Sequence, residues 1–522
     1  MGHQGTTRDG PLVSVIVPTF NRRRYLREAL ASLVGQTYGR FEAFVVNDGG
    51  APVRDIVDGL ADPRLVLIER RESRGKAASL NEALGRARGT YVAYLDDDDL
   101  YYPGHLARLV GALEGSDDCG AAYTDLYKVH CRVRPDGSRQ VLGKVVNVSR
   151  DFDRFFLCYF NHALHVSLMH RRDLIERTGR YDESLGILID WDMVRRLAFF
   201  TDFAHVREVT GEFYAPVDPC DRISHVGRLD RQAFLASVLR IRTARPPKPW
   251  PRMPDLSIVA LVDGADEAAA ELIRQIYAFT FMPYKVYLPL PPAALDRFRI
   301  RMPNLVAVPT ADGAGAEARL DAALSRLDGD YVAVVPQGVA PQPVWVEDAL
   351  HAALHGTGRT AFTLAGHSEA RPALVVGAEA LRQARTGRQG QPLAESLRAA
   401  GIEIREALPR EWALRFDRVL QDAEALEGEG NWVQAAALYG QIGRRFGNDR
   451  WMRERTAAAL FQAGGRDDEA LALCRRLNGE GATVSTLLLE ARLHKRADRL
   501  NEAVGLLERA DLVLQGKERP CN

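Results

Sequence analysis

Asp96-Asp97-Asp98-Asp99 is the stretch of this sequence best equipped to do chemistry. Four adjacent carboxylates repel one another, so a fold that gathers them needs a compensating cation, and clustered hard oxygens suit Mg²⁺ or Mn²⁺. Magnesium in such places is usually held by one or two carboxylates together with substrate phosphates. The run follows Tyr91-Val92-Ala93-Tyr94-Leu95, an apolar, aromatic stretch that reads as a buried strand, and Pro103 punctuates the turn beyond it. A solvated acidic turn is the alternative, and the neighbouring sequence has to decide between the two.

The elements needed to position these acids are visible upstream. Leu12 to Val17 is an apolar run rich in β-branched residues and closed by Pro18, and it is followed by Thr19-Phe20-Asn21-Arg22 and a helical pattern through Tyr25, Leu26, Ala29, Leu30 and Leu33. Phe41 to Val46 is a second strand ending in Asn47-Asp48-Gly49-Gly50. Helical Val53 to Leu60 leads to the strand Leu65 to Ile68, and helical Ala77 to Ala87 leads to the Tyr91 strand. Alternating strands and helices predict an α/β domain with a mainly parallel sheet, which binds ligands at the carboxyl ends of its strands. Thr19 to Asn21, Asn47 to Gly50 and Asp96 to Asp99 all fall at those ends.

Composition sets the frame. The 522 residues predict about three domains. Sixty-nine basic residues against sixty-nine acidic ones argue against a nucleic-acid-binding surface as the main business. No apolar window long enough for a transmembrane segment occurs; the nearest, Asp151 to Met169, is broken by Arg154, Asn161, His162 and His165. The amino terminus lacks a signal-peptide apolar core and reads as a short disordered leader. Cys119, Cys131, Cys158, Cys220, Cys474 and Cys521 show no metal-finger spacing and read as reduced thiols, which fits a cytoplasmic, bacterial-type protein with peripheral membrane contact left open.

Over about 110 residues the sequence "VSVIVPTFNR…SLVGQTYGRFEAFVVNDGG…NEALGRARGTYVAYLDDDD" resembles the nucleotide-binding half of the family 2 inverting glycosyltransferases. The resemblance implies the GT-A fold, a Rossmann-like nucleotide-diphospho-sugar transferase domain, with a D-x-D motif that holds Mn²⁺ or Mg²⁺ against a nucleotide-sugar, expected to be a UDP-sugar. By position, Pro18, Thr19 and Asn21 correspond to the loop around the nucleoside and Asp48 to the aspartate that accepts from the pyrimidine N–H. A carboxylate is acceptor-only and so matches an imide donor. An aspartate before glycine also forms turns unaided. Asn47 stands where relatives more often have a further acid. Arg74 and Lys76 precede the helix carrying Asn81, where relatives contact the donor; each is a phosphate ligand or part of a solvated charged loop. Aligning Pro103 with the family's proline makes Asp96-Asp97-Asp98 the D-x-D unit. Asp98 is then the first metal ligand, Asp96 reaches the ribose or the metal, Asp97 assists, and Asp99 supports the loop.

Downstream, Gly179-Arg180-Tyr181-Asp182-Glu183-Ser184 is similar to the family's acceptor-side turn, and Asp190-Trp191-Asp192 to its E-D-W-D motif, with Ile189 in place of the glutamate. The resemblance makes Asp190 the catalytic base that takes the acceptor hydroxyl's proton as the hydroxyl attacks the sugar. A helix N-cap is the structural reading of the same residue. Asp192 reads as favourable to a helix dipole. His225 lies where relatives carry a segment that closes over the donor, and is a further candidate for the metal or the diphosphate.

These readings assign a catalytic domain to residues 10–243 and a proline-rich linker to 244–254. Beyond it the pattern returns, since Leu256 to Leu261 echoes Val13 to Val17 and Gly329-Asp330-Tyr331-Val332-Ala333 echoes Gly89-Thr90-Tyr91-Val92-Ala93. Pro336-Gln337-Gly338-Val339 replaces the four acids, so residues 255–410 are expected to be a degenerate GT-A-like domain without catalysis. Gly430-Asn431-Trp432, Gly465-Arg466-Asp467 and Ala497-Asp498-Arg499 introduce repeats in which Ala435 and Ala470 are 35 residues apart and Ala470 and Ala503 are 33 apart. This brackets the tetratricopeptide period, and residues 415–515 read as an all-α array of three helix pairs, or as a plain bundle. The expected whole is a metal-dependent transferase of bacterial polysaccharide biosynthesis acting on a glycan or protein acceptor, with a protein partner or self-association through the helical array. Two rivals stand beside it: a silent scaffold, and a nucleotidyltransferase, whose glycine-rich phosphate loop Pro18-Thr19-Phe20-Asn21 does not supply.

Overall fold

The computed structural model of the chain describes residues 10–147, 149–216, 230–341, 345–354, 356, 358–364, 367–368, 370–407, 414–445 and 450–514. It divides into two compact units, one made of Met1–Phe234 together with Arg415–Asn522, the other of Leu235–Leu414.

In the first unit β1 (Val13–Thr19), β2 (Phe41–Asn47), β3 (Leu65–Glu69) and β4 (Tyr91–Tyr94) lie parallel in the order β3-β2-β1-β4. β1 and β2 are buried from end to end, as mainly apolar strands covered on both faces should be, and the polar pair among them is satisfied because the Ser14 hydroxyl donates to Glu42 at 2.8 Å. The helix Arg23–Val34 turns Leu26, Ala29, Leu30 and Leu33 inward as one stripe. The register runs from Val13 opposite Phe41 to Thr19 opposite Asn47, with Ile16 opposite Tyr94, so the segments following β1, β2 and β4 emerge along one edge.

The sheet continues through β8 (Leu168–Arg171), antiparallel to β4, then β6 (Cys119–Val133), antiparallel to β8, then β9 (Asp202–Pro216), parallel to β6. The short β5 (Leu100–Tyr101) pairs with β9, and β7 (Arg139–Val146) pairs with β6. β6 and β9 are 15 residues each, long enough to pass the acidic loop and continue beyond the core.

The second unit contains β10 (Leu256–Leu261), β11 (Tyr284–Leu290), β12 (Leu305–Pro309), β13 (Tyr331–Pro336), β14 (Thr360–Thr363), β15 (Leu374–Gly377) and β16 (Glu403–Glu406) in the order β12-β11-β10-β13-β15-β14-β16. Strand for strand and sense for sense this repeats β3-β2-β1-β4-β8-β6-β9: β13 and β15 are antiparallel, as are β14 and β15, whereas β14 and β16 are parallel. The sequence echo has a physical basis. Gly89 N–H donates to the Ser14 hydroxyl at 2.9 Å, and Gly329 N–H donates to the Ser257 hydroxyl at 3.1 Å. A Cβ on Gly89 would stand 2.6 Å from Ser14 N, and one on Gly329 2.7 Å from Ser257 Oγ. At the end of β13 the Gln337 side chain accepts from Asp263 N–H at 2.7 Å. The proline-rich stretch is tied to this unit by Arg245, which meets Asp255 through two contacts of 2.6 Å and lies over the Trp250 ring.

Six helices, Leu414–Gly428, Trp432–Arg445, Arg450–Ala463, Asp467–Gly481, Val484–Arg496 and Leu500–Leu514, complete the first unit. Ala435, Ala470 and Ala503 each occupy the fourth residue of a helix and are buried. Gly430, Gly465 and Asp498 each stand two residues before those same helices in the left-handed conformation, at φ 78°, 71° and 59°. The helices pack onto the ribbon formed by β6 and β7. His130 Nε2 lies 2.6 Å from Glu427 Oε1 and Lys128 Nζ 3.7 Å from Glu424 Oε1, while Arg455 Nη2 meets Glu427 Oε2 at 2.5 Å and the Tyr439 hydroxyl donates to the same carboxylate.

Candidate active site

The four acids follow β4 at the edge where the segments after β1 and β2 also emerge, and they do not all face the same way. Asp96, Asp98 and Asp99 each bring one carboxylate oxygen within 4.8 Å of the others. Asp97 turns instead toward β1, where the Thr19 hydroxyl donates to its Oδ2 at 2.7 Å. Arg22 Nη1 lies 2.8 Å from Asp98 Oδ2 and 3.5 Å from Asp97 Oδ1, and Lys76 Nζ lies 2.6 Å from Asp96 Oδ1. Asp99 Oδ1 accepts the Tyr214 N–H from β9 at 3.0 Å, so this acid anchors the loop as expected and also contributes an oxygen to the cluster. Burial, reinforced by the neighbouring Asp98 charge, pushes the Asp97 carboxyl up to about 7. Oxygens around a six-coordinate ion at about 2.1 Å stand roughly 3–4 Å apart, so the three grouped carboxylates fit a hard divalent cation with a small closing movement.

After β2, Asn47 and Asp48 organise two loops. Gly50 N–H donates to Asn47 Oδ1 at 3.1 Å, and Ala51 N–H donates to Asn21 Oδ1 at 2.8 Å, which ties the loop after β1 to the loop after β2. Asn21 adopts φ 57°, a conformation that asparagine tolerates better than most residues. Gly49, at φ 76°, passes so close to the next loop that a Cβ would stand 2.6 Å from Ser73 N. Asp48 accepts from Arg70 Nη1 at 2.8 Å, the Ser73 hydroxyl at 2.7 Å, Arg74 N–H at 3.0 Å and Gly75 N–H at 2.8 Å. Its acceptor positions are thus filled by the chain. Burial alone would raise the Asp48 carboxyl, but Ser73 and the other donors outweigh it and hold the group below its usual range. The Arg74 side chain is exposed and reaches Glu183 Oε2 at 3.2 Å, on the acceptor side.

Asp190 sits in the first turn of the helix Ile189–Leu197, and the N-cap is Leu188, left-handed at φ 59°, so Asp190 is not the cap. Asn161 Nδ2 donates to Asp190 Oδ2 at 3.2 Å. Burial raises the Asp190 carboxyl above its ordinary value, with the Lys76 charge opposing. For Lys76 burial alone would lower the ammonium; Asp96 outweighs it, aided by Asp190 and Asp98, and the net direction is up. One ammonium therefore feels the charges of both the acidic loop and Asp190. Asp192 is buried in the first turn of the same helix, where a carboxylate favours the dipole, and it also binds Arg196 at 2.6 Å one turn on. Asn81 is buried and clamps the acceptor-side turn, donating to Tyr181 O at 2.9 Å and accepting Tyr181 N–H at 2.8 Å. Pro18 stands in β1 opposite Val46. His225 lies outside the described residues.

The structure thus brings Thr19, Lys76, Asp96, Asp97 and Asp98 together and places Asp190 within electrostatic reach of them. Arg22 ends the quoted motif without a role read from it, and the parts of Arg22, Arg70, Ser73 and Asn161 become visible only through contacts with distant segments.

Residues 14–171 match the family described as Glycosyl transferase family 2. An uncharacterized glycosyltransferase of Rickettsia prowazekii is 30% identical over 192 residues, covering 35% of this chain and 57% of the relative. One of Methanocaldococcus jannaschii is 27% identical over 232 residues, covering 43% and 76%. The crystal structure of S. aureus TarS 1-349 is 20% identical with a TM-score of 0.35, covering 44% of this chain and 63% of that one. The chain spans little more than half the length of the Rickettsia relative. The family match covers the amino-terminal part of the chain, and both relatives carry the name glycosyltransferase.

Proposed function

We propose that this chain is a metal-dependent, inverting glycosyltransferase that moves a sugar from a nucleotide-sugar, a UDP-sugar, to a hydroxyl of a glycan or protein acceptor. The observation that carries this reading is Lys76, which pairs with Asp96 and also feels Asp98 and Asp190, and so joins the acidic loop to the base in one site. Asp190 takes the proton of the acceptor hydroxyl as that oxygen attacks the anomeric carbon, a single displacement that inverts configuration and needs no enzyme nucleophile. Asn161 Nδ2 donates to Asp190 Oδ2 and so helps orient the base. Asp98, Asp96 and Asp99 would hold a divalent cation, which when bound neutralises charge on the departing diphosphate. Lys76 adds a fixed positive charge at the same place. For the base, a pyrimidine imide replaces the Ser73 hydroxyl on Asp48, since of the four donors there that group moves most freely.

The second unit repeats the first sheet without the acids, which supports a GT-A-like domain that has lost catalysis and serves packing or acceptor binding. The recurring left-handed turns and buried alanines support a tetratricopeptide-like array, for which a protein acceptor or partner is the natural ligand. No helix among the described residues is long and apolar enough to cross a membrane.

Thermal shift with UDP, GDP, CDP and dTDP, each with and without Mn²⁺, tests the donor. Stabilisation by UDP that appears with metal is the expected result, and equal indifference to all four would leave a scaffold. Asp98→Asn is expected to abolish the metal-linked part of UDP stabilisation, read in the same assay; full retention would remove Asp98 from the metal site.

A further inference from the structure

The carboxylates that would receive a metal already face cations supplied by the chain. Lys76 holds Asp96, and Arg22 spans Asp97 and Asp98. The backbone delivers Arg22 to this position. Asn21 is left-handed and fastened to Ala51 N–H, and Arg22 follows at the N-cap position of the helix Arg23–Val34 without capping it through its side chain. The Thr19 hydroxyl, three residues earlier, is committed to Asp97. The guanidinium therefore lies across the acidic loop with its side chain 19% exposed, within reach of solvent and of anything that enters the site.

A guanidinium keeps its charge at any working pH. A hard divalent ion needs a carboxylate oxygen at about 2.0–2.2 Å, and the Asp98 oxygen nearest Arg22 is already taken at 2.8 Å. Two cations on one carboxylate repel, so a metal on Asp98 weakens the hold of Arg22. The arriving metal brings a diphosphate with it, and a planar guanidinium with five donors matches phosphate oxygens better than any other side chain.

We propose that Arg22 is an exchangeable counter-cation: it holds Asp98 while the site is empty, yields that oxygen to the divalent cation, and then binds the donor diphosphate. The inference rests on the metal-linked donor reading above and adds to it a named residue that both competes with the metal and binds the donor. An arginine that merely braced the loop would have the opposite effect, because its loss would weaken the metal site.

The test is Mn²⁺ binding to the full chain, followed by electron paramagnetic resonance, with and without UDP, in wild type, Arg22→Met and Arg22→Lys. Arg22→Met is expected to bind Mn²⁺ alone about five- to tenfold more tightly, the scale of a partly buried ion pair. The increase in UDP affinity that Mn²⁺ confers is expected to shrink by about tenfold in the same variant. Arg22→Lys should fall between the two on both measures. Mn²⁺ affinity in Arg22→Met equal to or below that of wild type overturns the proposal while leaving the donor reading in place. A wild type that binds no Mn²⁺ even with UDP overturns both. Should Arg22→Met fail to fold, Arg22→Lys decides: Mn²⁺ affinity above wild type supports the exchange, and affinity at or below wild type overturns it.

Discussion

Asp190→Asn is expected to lower kcat by about 10²–10⁴-fold, the range spanned by general bases, while UDP and Mn²⁺ binding stay as in wild type. The substitution keeps the size of the side chain and removes its negative charge and its basicity. Wild-type pH dependence gives a second reading of the same group. Burial raises the Asp190 carboxyl against the opposing charge of Lys76. A base must be ionised to work, so activity is lost as pH falls through that raised value, and the acid limb of kcat/KM should lie above the ordinary aspartate value of about 4. Steady-state kinetics with the UDP-sugar identified by the donor screen, across pH, check both statements. A kcat reduced by less than about tenfold, or a loss of UDP binding in parallel, would take the base role from Asp190.

Glu427→Ala is expected to be the most damaging single change to the first unit's stability. Arg455 is 1% exposed and its charge is met by Glu427 at 2.5 Å and Glu424 at 3.2 Å. Removing Glu427 leaves the buried Arg455 charge to Glu424 alone, whose side chain is 36% exposed, and breaking such a buried pair costs about 3–5 kcal/mol. In a unit of this size that corresponds to a fall in unfolding midpoint of roughly 5–15 °C. Burial alone would raise the Glu427 carboxyl, but Arg455 and the His130 contact outweigh it and hold the group well below its usual range. The stabilisation is accordingly complete above the unfolded value of about 4.3 and disappears as the solution is acidified past it. Calorimetry of wild type, Glu427→Ala and the double variant Glu427→Leu with Arg455→Leu checks the account. The double variant should recover much of the loss, because the stranded charge goes with its partner. A single variant within about 1 kcal/mol of wild type would mean that the network is hydrated.

The parallel core of the first unit was legible because every element in it carries its own signal. β1 and β2 are mainly apolar runs, the helix Arg23–Val34 shows its stripe, Asp48 stands directly after β2, and Asp96 follows β4 by one residue. The echo between Gly89-Thr90-Tyr91 and Gly329-Asp330-Tyr331 was legible because a glycine is required where the chain runs against the serine of the neighbouring strand. What escaped depends on partners far apart in sequence. Arg22 meets residues 75 and 76 positions away, and Asn161 meets Asp190 across 29. The sorting of the four acids, with Asp97 facing Thr19 and Asp99 facing Tyr214, follows from how a turn rotates successive side chains, and four identical letters cannot express it. Nor does anything in Lys128 or His130 announce that the ribbon bearing them is a seat for the carboxyl-terminal helices.

That seat has a consequence for how the molecule is made. The first unit is assembled from Met1–Phe234 and Arg415–Asn522, and Leu235–Leu414 lies between those two segments in the sequence. A chain leaving the ribosome at about 5–20 residues per second exposes the β6 and β7 ribbon, with His130 and Lys128 unanswered, until Glu424 and Glu427 have been translated. The intervening unit is continuous in sequence, and the seat on the ribbon is filled only after that unit has been synthesised. Nascent chains halted before Glu424 are therefore the form most in need of a chaperone.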